Sequence, residues 1–374
     1  MSLQFVFGNA GSGKSTYLYK KILGEAAEHP EKNYLVLVPE QFTMQTQWEL
    51  VRLQDAHAIM NVDVLSFARL AYRVFDELGR QNLKVLEETG KNLVLRKIAE
   101  EKRGQLPVLG GNLNKMGYIS EVKSVLSELT QYNVSPEKLD AFLETEAVGE
   151  TLRLKMQDIS VMYHGFSEYL EGKYITSEEV LSLLCEVAED SAILRNSQIV
   201  FDEFTGFTPI QNQLLLKLLS LSEKITVALT MDTKEDFYHC RGPQELFSMS
   251  KKAVETLIRM AGELHVAVEE PVLLTDGKKL RYRNAPSLYF MEQNLFRPYY
   301  KKWKEEQDEI EITCLKNPRE ELEYTAREIT RLVREKHYRY RDIAVVTGDV
   351  SLYDNYVEEI FGSYGDRKST RLNS

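Results

Sequence analysis

Cysteine is scarce in this sequence, and long apolar runs are missing. Its three cysteines, Cys185, Cys240 and Cys314, are too scattered for a disulfide framework or a metal-ligand cluster. Buried thiols in a reducing compartment fit this pattern. The longest apolar runs, such as residues 34–38, are far shorter than a transmembrane span, and the N-terminus lacks a secretory apolar region. We therefore expect a cytoplasmic protein without a membrane segment.

A net positive charge is also absent. The formal net charge is −10 over 374 residues, which argues against a surface that is basic throughout and wraps nucleic acid. A local basic groove is still compatible with this charge, because the potential of a groove is set by the residues that line it. The length predicts two or three domains, with ample residues for their cores.

The most informative motif is a glycine-rich loop at residues 8–15. It fits G-x-x-x-x-G-K-[ST], the phosphate-binding loop of nucleotide hydrolases. An apolar strand at 3–7 precedes it and a helix at 15–23 follows, which is the context that the motif requires. The glycines and the helix N-terminus predict backbone N–H groups that point at an anion. We predict that ATP is bound by Gly8, Asn9, Ala10, Gly11, Ser12, Gly13, Lys14, Ser15 and Thr16.

Two side chains of this loop have distinct predicted roles. Lys14 is expected to act in catalysis by reaching the β- and γ-phosphates, and the Ser15 hydroxyl is expected to ligate Mg²⁺. A glycine turn followed by an unrelated Lys-Ser pair is the alternative interpretation. The strand, the spacing and the helix together favour the phosphate-binding loop.

A pair of acids ends an apolar strand at residues 198–203. A nucleotide hydrolase needs a carboxylate at a strand end to hold Mg²⁺, and a neighbouring Glu can orient or deprotonate the attacking water. We therefore predict that Asp202 is a metal ligand and Glu203 a catalytic residue, and that both lie near Ser15 at one sheet edge. A helix cap or a solvated loop is the alternative role for such a pair.

The first part of the chain predicts an α/β fold with an insertion. Residues 1–84 alternate strands and helices, which is typical of a parallel sheet with helices packed on it. Residues 85–190 show helical stripes without a strand signal, and we interpret them as a helical insertion. Strand patterns resume at 198–203 and 225–230, so residues 1–84 plus 191–290 are predicted to form one P-loop domain.

Further along, a second α/β domain is predicted to begin. Apolar alternation at 310–314 and an apolar run at 343–346 predict two strands on either side of a helix. Residues 309–365 would then be the start of that domain. Residues 232–305 show mixed patterns that predict little.

Three helix starts carry capping signals. Ser66 precedes one apolar helical stripe, and Ser135 precedes a proline at the first helical position of another. Thr176 and Glu179 have the spacing of a capping box. Phe42, in the segment after the second strand, is predicted to fill the core beneath the next helix, and the alternative is that it stacks on a base.

Several motifs occur in an order that resembles one protein family. The P-loop is followed by Val-Pro-Glu-Gln-Phe-Thr at 38–43, Val-Leu-Ser-Phe-Ala-Arg at 64–69, Phe-Asp-Glu-Phe-Thr-Gly-Phe-Thr at 201–208, Leu-Thr-Met-Asp at 229–232, Asn-Pro-Arg-Glu-Glu at 317–321 and Tyr-Arg-Asp-Ile-Ala-Val at 340–345. This series resembles the N-terminal third of the AddB (RexB) family, which supplies one of the subunits of the bacterial ATP-dependent helicase/deoxyribonuclease. The resemblance covers nearly the whole chain.

The resemblance implies a fold and an activity. The fold would be that of superfamily 1 helicases, with a first RecA-like domain that carries the helical insertion and a second that begins near residue 309. The activity would be that of a hydrolase complex that uses ATP and Mg²⁺ to unwind and degrade double-strand DNA ends. It would handle single-stranded DNA, respond to Chi sequences and serve homologous recombination. An AddA partner would be the main motor.

The resemblance also implies what this chain does not encode. The family's nuclease domain and the cysteines of its iron–sulfur cluster lie downstream, and so do the arginines that a second RecA-like domain supplies to the ATP site. We therefore expect this fragment alone to be inactive. Residues 366–374 depart from the family and resemble a translated sequencing adapter, so we interpret them as an artefact. A basic, disordered tail is the alternative.

Two other functions stay open at this point. One is a stand-alone P-loop ATPase or kinase, which nucleotide turnover without stimulation by DNA would favour. The other is a scaffold that binds ATP without turnover, which binding without hydrolysis in the full complex would favour.

Overall fold

The computed structural model describes eight stretches of the chain. These are residues 1–54, 58–80, 84–112, 116–145, 149–171, 173–275, 280–297 and 301–365. The chain divides into two compact units, Met1–Lys302 and Trp303–Ser374. The predicted artefact at 366–374 lies outside the described residues. None of the helices in the described stretches is both long and apolar enough to cross a membrane.

The described residues form nine strands and thirteen α-helices. The strands are β1 (Ser2–Gly8), β2 (Tyr34–Leu37), β3 (Val62–Leu65), β4 (Val85–Leu86), β5 (Ile175–Thr176), β6 (Gln198–Phe201), β7 (Lys224–Thr230), β8 (Ala267–Val268) and β9 (Val272–Leu274). The helices are α1 (Lys14–Glu28), α2 (Thr43–Leu53), α3 (Phe67–Glu77), α4 (Glu88–Glu101), α5 (Met116–Gln131), α6 (Pro136–Leu143), α7 (Glu150–Leu170), α8 (Glu179–Val187), α9 (Pro209–Leu221), α10 (Ser248–Glu263), α11 (Pro286–Asn294), α12 (Pro318–Glu335) and α13 (Asp354–Ser363).

The first unit is built on a parallel sheet, which confirms the predicted α/β class. Its strand order is β3-β2-β6-β7-β1-β8, with β9 also paired to β1, and all of these pairs are parallel. β1 and β2 are apolar along their length because helices cover both faces of the sheet. Phe5 and Phe7 belong to one core with α3, α8, α9 and α10. Val6, between them, belongs to the opposite core with α1 and α2.

A separate core lies among the helices between β4 and β5. It contains buried residues of α4, α5, α6 and α7, from Val94 to Leu170. The next helix, α8, packs instead on the sheet, through Val180, Leu184 and Val187. The helical nature of most of residues 85–190 is therefore observed, although α8 belongs to the core of the sheet. The domain boundaries themselves stay a prediction.

The second unit differs from the sequence expectation. Its α12 and α13 pack together through Leu322, Ala326, Val357 and Ile360. The strands predicted at 310–314 and 343–346 are wrong, because neither segment pairs with a strand in the described part of the chain. Ile312 is 92% exposed and Val346 is 90% exposed. Apolar alternation makes a strand only where a neighbour accepts its backbone hydrogen bonds.

Candidate functional site

The carboxyl ends of three neighbouring strands form the edge where the predicted site residues meet. β7 lies between β1 and β6, and Gly8 at the end of β1 is in register with Thr230 at the end of β7. The chain that leaves β1 is the glycine-rich loop, and the chain that leaves β6 is the acid pair. A cleft of about 820 Å³ opens there, and Lys14, Ser15, Asp202 and Glu203 all line it.

The loop has the backbone of an anion site. Gly11 has φ 74° and Gly13 has φ 89°, a left-handed conformation that only glycine adopts at little cost. Gly13 is the N-cap of α1 and supplies no side-chain cap, and the first turn of the helix contains no acidic residue. The N–H groups of this helix start are therefore open to an anion. Ser12 is buried, and its Oγ has no hydrogen-bond partner among the described residues.

The side chain of Lys14 lies across the loop. Its Nζ donates to the carbonyl oxygens of Gly8 at 3.0 Å and Asn9 at 3.1 Å. Burial lowers the pKa of Lys14, whereas the charges of Asp202 and Glu203 act in the opposite direction. The ammonium group therefore lies in the same cleft as both predicted acids, within reach of a phosphate bound on the loop.

The two acids differ in environment. Asp202 is 2% exposed, its N–H donates to Leu37 O, and its Oδ2 has no hydrogen-bond partner among the described residues. Burial raises the pKa of Asp202, and the charge of Glu203 raises it further, whereas nearby hydroxyl groups act in the opposite direction. A buried carboxylate oxygen without a partner is costly, and a cation would offset that cost. Asp202 therefore fits the role of a metal ligand.

Glu203 faces the loop from the opposite side of the cleft. The Ser15 hydroxyl donates to Glu203 Oε1 at 3.3 Å. Glu203 has φ 63°, a conformation that costs a non-glycine residue roughly 1–2 kcal/mol. Such strain is often found at functional sites. The structure thus brings Ser15 and both acids together, and the roles assigned to them stay predictions.

The donor set suits Mg²⁺ held partly by a ligand. The described residues contain no group of three or more His, Cys, Asp or Glu side chains that could hold a metal. Mg²⁺ usually takes one or two protein ligands and completes its shell with water and substrate phosphates. Ser15 and Asp202 fit that arrangement.

Comparison with known proteins decides the family. A sequence model described as "ADDB, N-terminal" matches residues 5–292. The chain belongs to the AddB family. The resemblance predicted from the motif series is therefore confirmed.

Similar curated proteins are all named as the AddB component of an ATP-dependent helicase/deoxyribonuclease. The protein of Lachnoclostridium phytofermentans is 41% identical over 361 residues, which cover 96% of this chain and 31% of that protein. Those of Caldanaerobacter subterraneus and Clostridium tetani are 36% and 34% identical over 98% of this chain, and the matches cover 31% and 32% of their lengths. The chain thus spans about a third of the length of these AddB relatives.

Two residues at the site of this AddB-family chain were not predicted from the sequence. Arg281 lines the cleft, and Glu292 accepts a hydrogen bond of 3.0 Å from Asn9 Nδ2 in the loop. Both lie in the region 232–305, where the sequence pattern is mixed. Nothing in a local pattern connects them with a loop that is more than 250 residues away in the chain.

Phe42 occupies a double position in this AddB-family chain. It is half-buried and packs against the core on the α1 and α2 side of the sheet, which confirms the predicted core role. Its side chain also lines the cleft.

Proposed function

We propose that this chain is the ATP-binding, RecA-like part of one component of a DNA helicase/nuclease. One observation carries the proposal. The glycine-rich loop, the carboxylate of Asp202 with its unpartnered Oδ2, and the carboxylate of Glu203 line a single cleft at the carboxyl edge of a parallel sheet. Ligand sites in open α/β sheets lie at this edge.

The strand order supports the RecA-like assignment. β7 separates the strand of the loop, β1, from the strand of the acids, β6. Two strand spacings amount to roughly 10 Å, so a phosphate chain, a metal ion and a water molecule fit between the loop and the acids. A site made for phosphoryl transfer needs this room, because its nucleophile and leaving group lie in line.

Each residue has a role in the proposed reaction. The loop N–H groups and Lys14 bind the β- and γ-phosphates. Ser15 and Asp202 hold Mg²⁺, which neutralises charge that develops on the phosphate oxygens. Glu203 is exposed at the open side of the cleft, where it orients the attacking water and accepts its proton. The family membership suggests ATP as the nucleotide.

The wider function is proposed from the relatives. Their names assign them to an ATP-dependent helicase/deoxyribonuclease, so we infer that this chain works with an AddA-like partner subunit on double-strand DNA ends and single-stranded DNA. The complex would be a cytoplasmic hydrolase that prepares DNA ends for homologous recombination.

Calorimetry with Mg–ATP tests the proposal. Lys14→Ala removes charge-assisted contacts worth about 1.5–3 kcal/mol each, so it should weaken binding at least tenfold. Lys21→Ala is the matched control, since Lys21 lies on the same helix but donates to Gln4 Oε1, away from the cleft. Equal ATP affinities of the unmodified protein and Lys14→Ala would contradict the proposal.

A further inference from the structure

Arg281 packs directly on the glycine-rich loop. A Cβ on Gly11 would come within 2.8 Å of Arg281 Cβ and Cδ and within 3.2 Å of Arg281 Nε. Gly11 is therefore required twice, by its positive φ and by the close approach of this side chain. The guanidinium of Arg281 lies at the surface of the loop that the motif assigns to phosphate.

The segment that carries Arg281 is tied to the site through α11 and the residues that follow it. Glu292 accepts from Asn9 in the loop at 3.0 Å. Further on, Arg297 Nη2 pairs with Asp232 Oδ2 at 2.8 Å, and both side chains are largely buried. Asp232 lies shortly after the end of β7, so these contacts anchor residues 280–297 to the same sheet edge as the loop. Arg281 is thus held in place by a buttressed segment.

The charge of Arg281 is available to an anion. Its side chain is exposed, and the structure shows no ion pair or hydrogen bond between it and any other described residue. Its positive charge is among the causes that lower the pKa of Lys14, which means that the two cations share one space. Two cations that converge on one loop favour a ligand with several negative charges.

We propose that Arg281 is a second cation of the phosphate site, which contacts the terminal phosphate of a nucleoside triphosphate and makes the site prefer triphosphate to diphosphate. This inference rests on the proposed function of the loop. Lys14 contributes a point charge near the β- and γ-phosphates, and the planar guanidinium adds a fork of donors that matches phosphate oxygens. An arginine of the site then comes from the first unit itself, whereas the sequence had assigned such arginines to a second domain.

Binding of ATP and ADP, each with Mg²⁺, to four forms of the full chain tests this role. The forms are the unmodified protein, Arg281→Ala, Arg283→Ala and Lys14→Ala. Arg281→Ala should weaken ATP binding by about 10- to 100-fold, the effect of losing one charge-assisted hydrogen bond, and ADP binding by less than about threefold. Arg283→Ala is the control, because Arg283 is also exposed and does not line the cleft, and its affinities should match those of the unmodified protein.

The outcomes separate this inference from the proposal on which it rests. If Arg281→Ala leaves ATP binding unchanged, or weakens ATP and ADP binding equally, Arg281 does not read the terminal phosphate, while a loss in Lys14→Ala still supports the phosphate-binding loop. If the unmodified protein binds neither nucleotide, the proposed function fails and this role fails with it. Melting temperatures of the variants confirm that each one is folded, as expected for exposed positions.

Discussion

The Ser15 hydroxyl donates a hydrogen bond of 3.3 Å to Oε1 of Glu203, a residue 188 positions further along the chain. The contact spans the width of β7, because Ser15 follows β1 and Glu203 follows β6. Glu203 reaches the loop from a left-handed backbone conformation. The positions of these two side chains define the ends of the space that a metal-bound phosphate would occupy.

Glu203→Gln should separate binding from turnover. The amide keeps the shape of the side chain but does not accept a proton from water, so ATP affinity should change less than threefold while hydrolysis falls by about 10²–10⁴-fold. Hydrolysis is measured as phosphate release in the assembled complex with DNA, with the partner subunit's own turnover subtracted by means of Lys14→Ala. An unchanged rate would show that Glu203 does not act on the water, and a complete absence of turnover in the unmodified chain would favour a scaffold.

Asp202→Asn should stabilise the protein without ligands. The pKa of Asp202 is raised by burial above its ordinary value of 3.8, so the folded state loses stability as the pH rises from below that value through the raised pKa. The Asn variant does not ionise, and at pH 7 it should be more stable by about 1–2 kcal/mol. Thermal melting in the absence of metal and nucleotide measures the difference.

The pH dependence of that difference is the decisive part. The advantage of Asp202→Asn should shrink as the pH falls and vanish below about 3.8, where the carboxyl is protonated in both states. Glu203→Gln is the control, since Glu203 is exposed and its replacement should leave the melting temperature unchanged. A variant that is less stable than the unmodified protein at pH 7 would show that the ionised form of Asp202 is stabilised by its neighbours.

Lys91 should be a structural residue of large effect. Its side chain is 1% exposed and pairs at 2.8 Å with Glu178, which is itself 10% exposed, and with Glu88. Lys91→Met would leave a buried carboxylate without its partner, which typically costs about 3–5 kcal/mol. Urea unfolding measures the loss.

An exposed ion pair on the same helix is the control for this variant. Lys97 pairs with Glu101 at 3.7 Å, and both side chains are more than half exposed. Lys97→Met should therefore cost no more than about 0.5 kcal/mol. Similar losses for both variants would contradict the assignment of Lys91 to a buried ion pair.

The 374-residue chain alone should neither unwind nor degrade DNA. Translocation requires a cleft between two domains that nucleotide opens and closes, and the described residues of the second unit contain α12 and α13 but no strand. Strand separation and nuclease assays with ATP and Mg²⁺ test this. Robust activity that depends on ATP and is abolished by Lys14→Ala would contradict it.

Local sequence patterns predicted those parts that depend on neighbours in the chain. The Ser66 and Ser135 side chains cap α3 and α6, and Thr176 and Glu179 exchange the two hydrogen bonds of a capping box. The glycine-rich loop and the acid pair were also recognisable, because each consists of contiguous residues. Apolar alternation failed at 310–314 and 343–346, where no described neighbouring strand pairs with the extended backbone.

By itself, the sequence determined the phosphate-binding loop, the acids, most helices and the family, because spacing along the chain encodes all of them. Only the tertiary structure decided the strand order that brings Glu203 to Ser15, the absence of a described partner for Asp202 Oδ2, and the approach of Arg281 to Gly11. These relationships join residues that lie up to 270 positions apart. They depend on how buried strands and helices pack, and short-range periodicity carries no information about such packing.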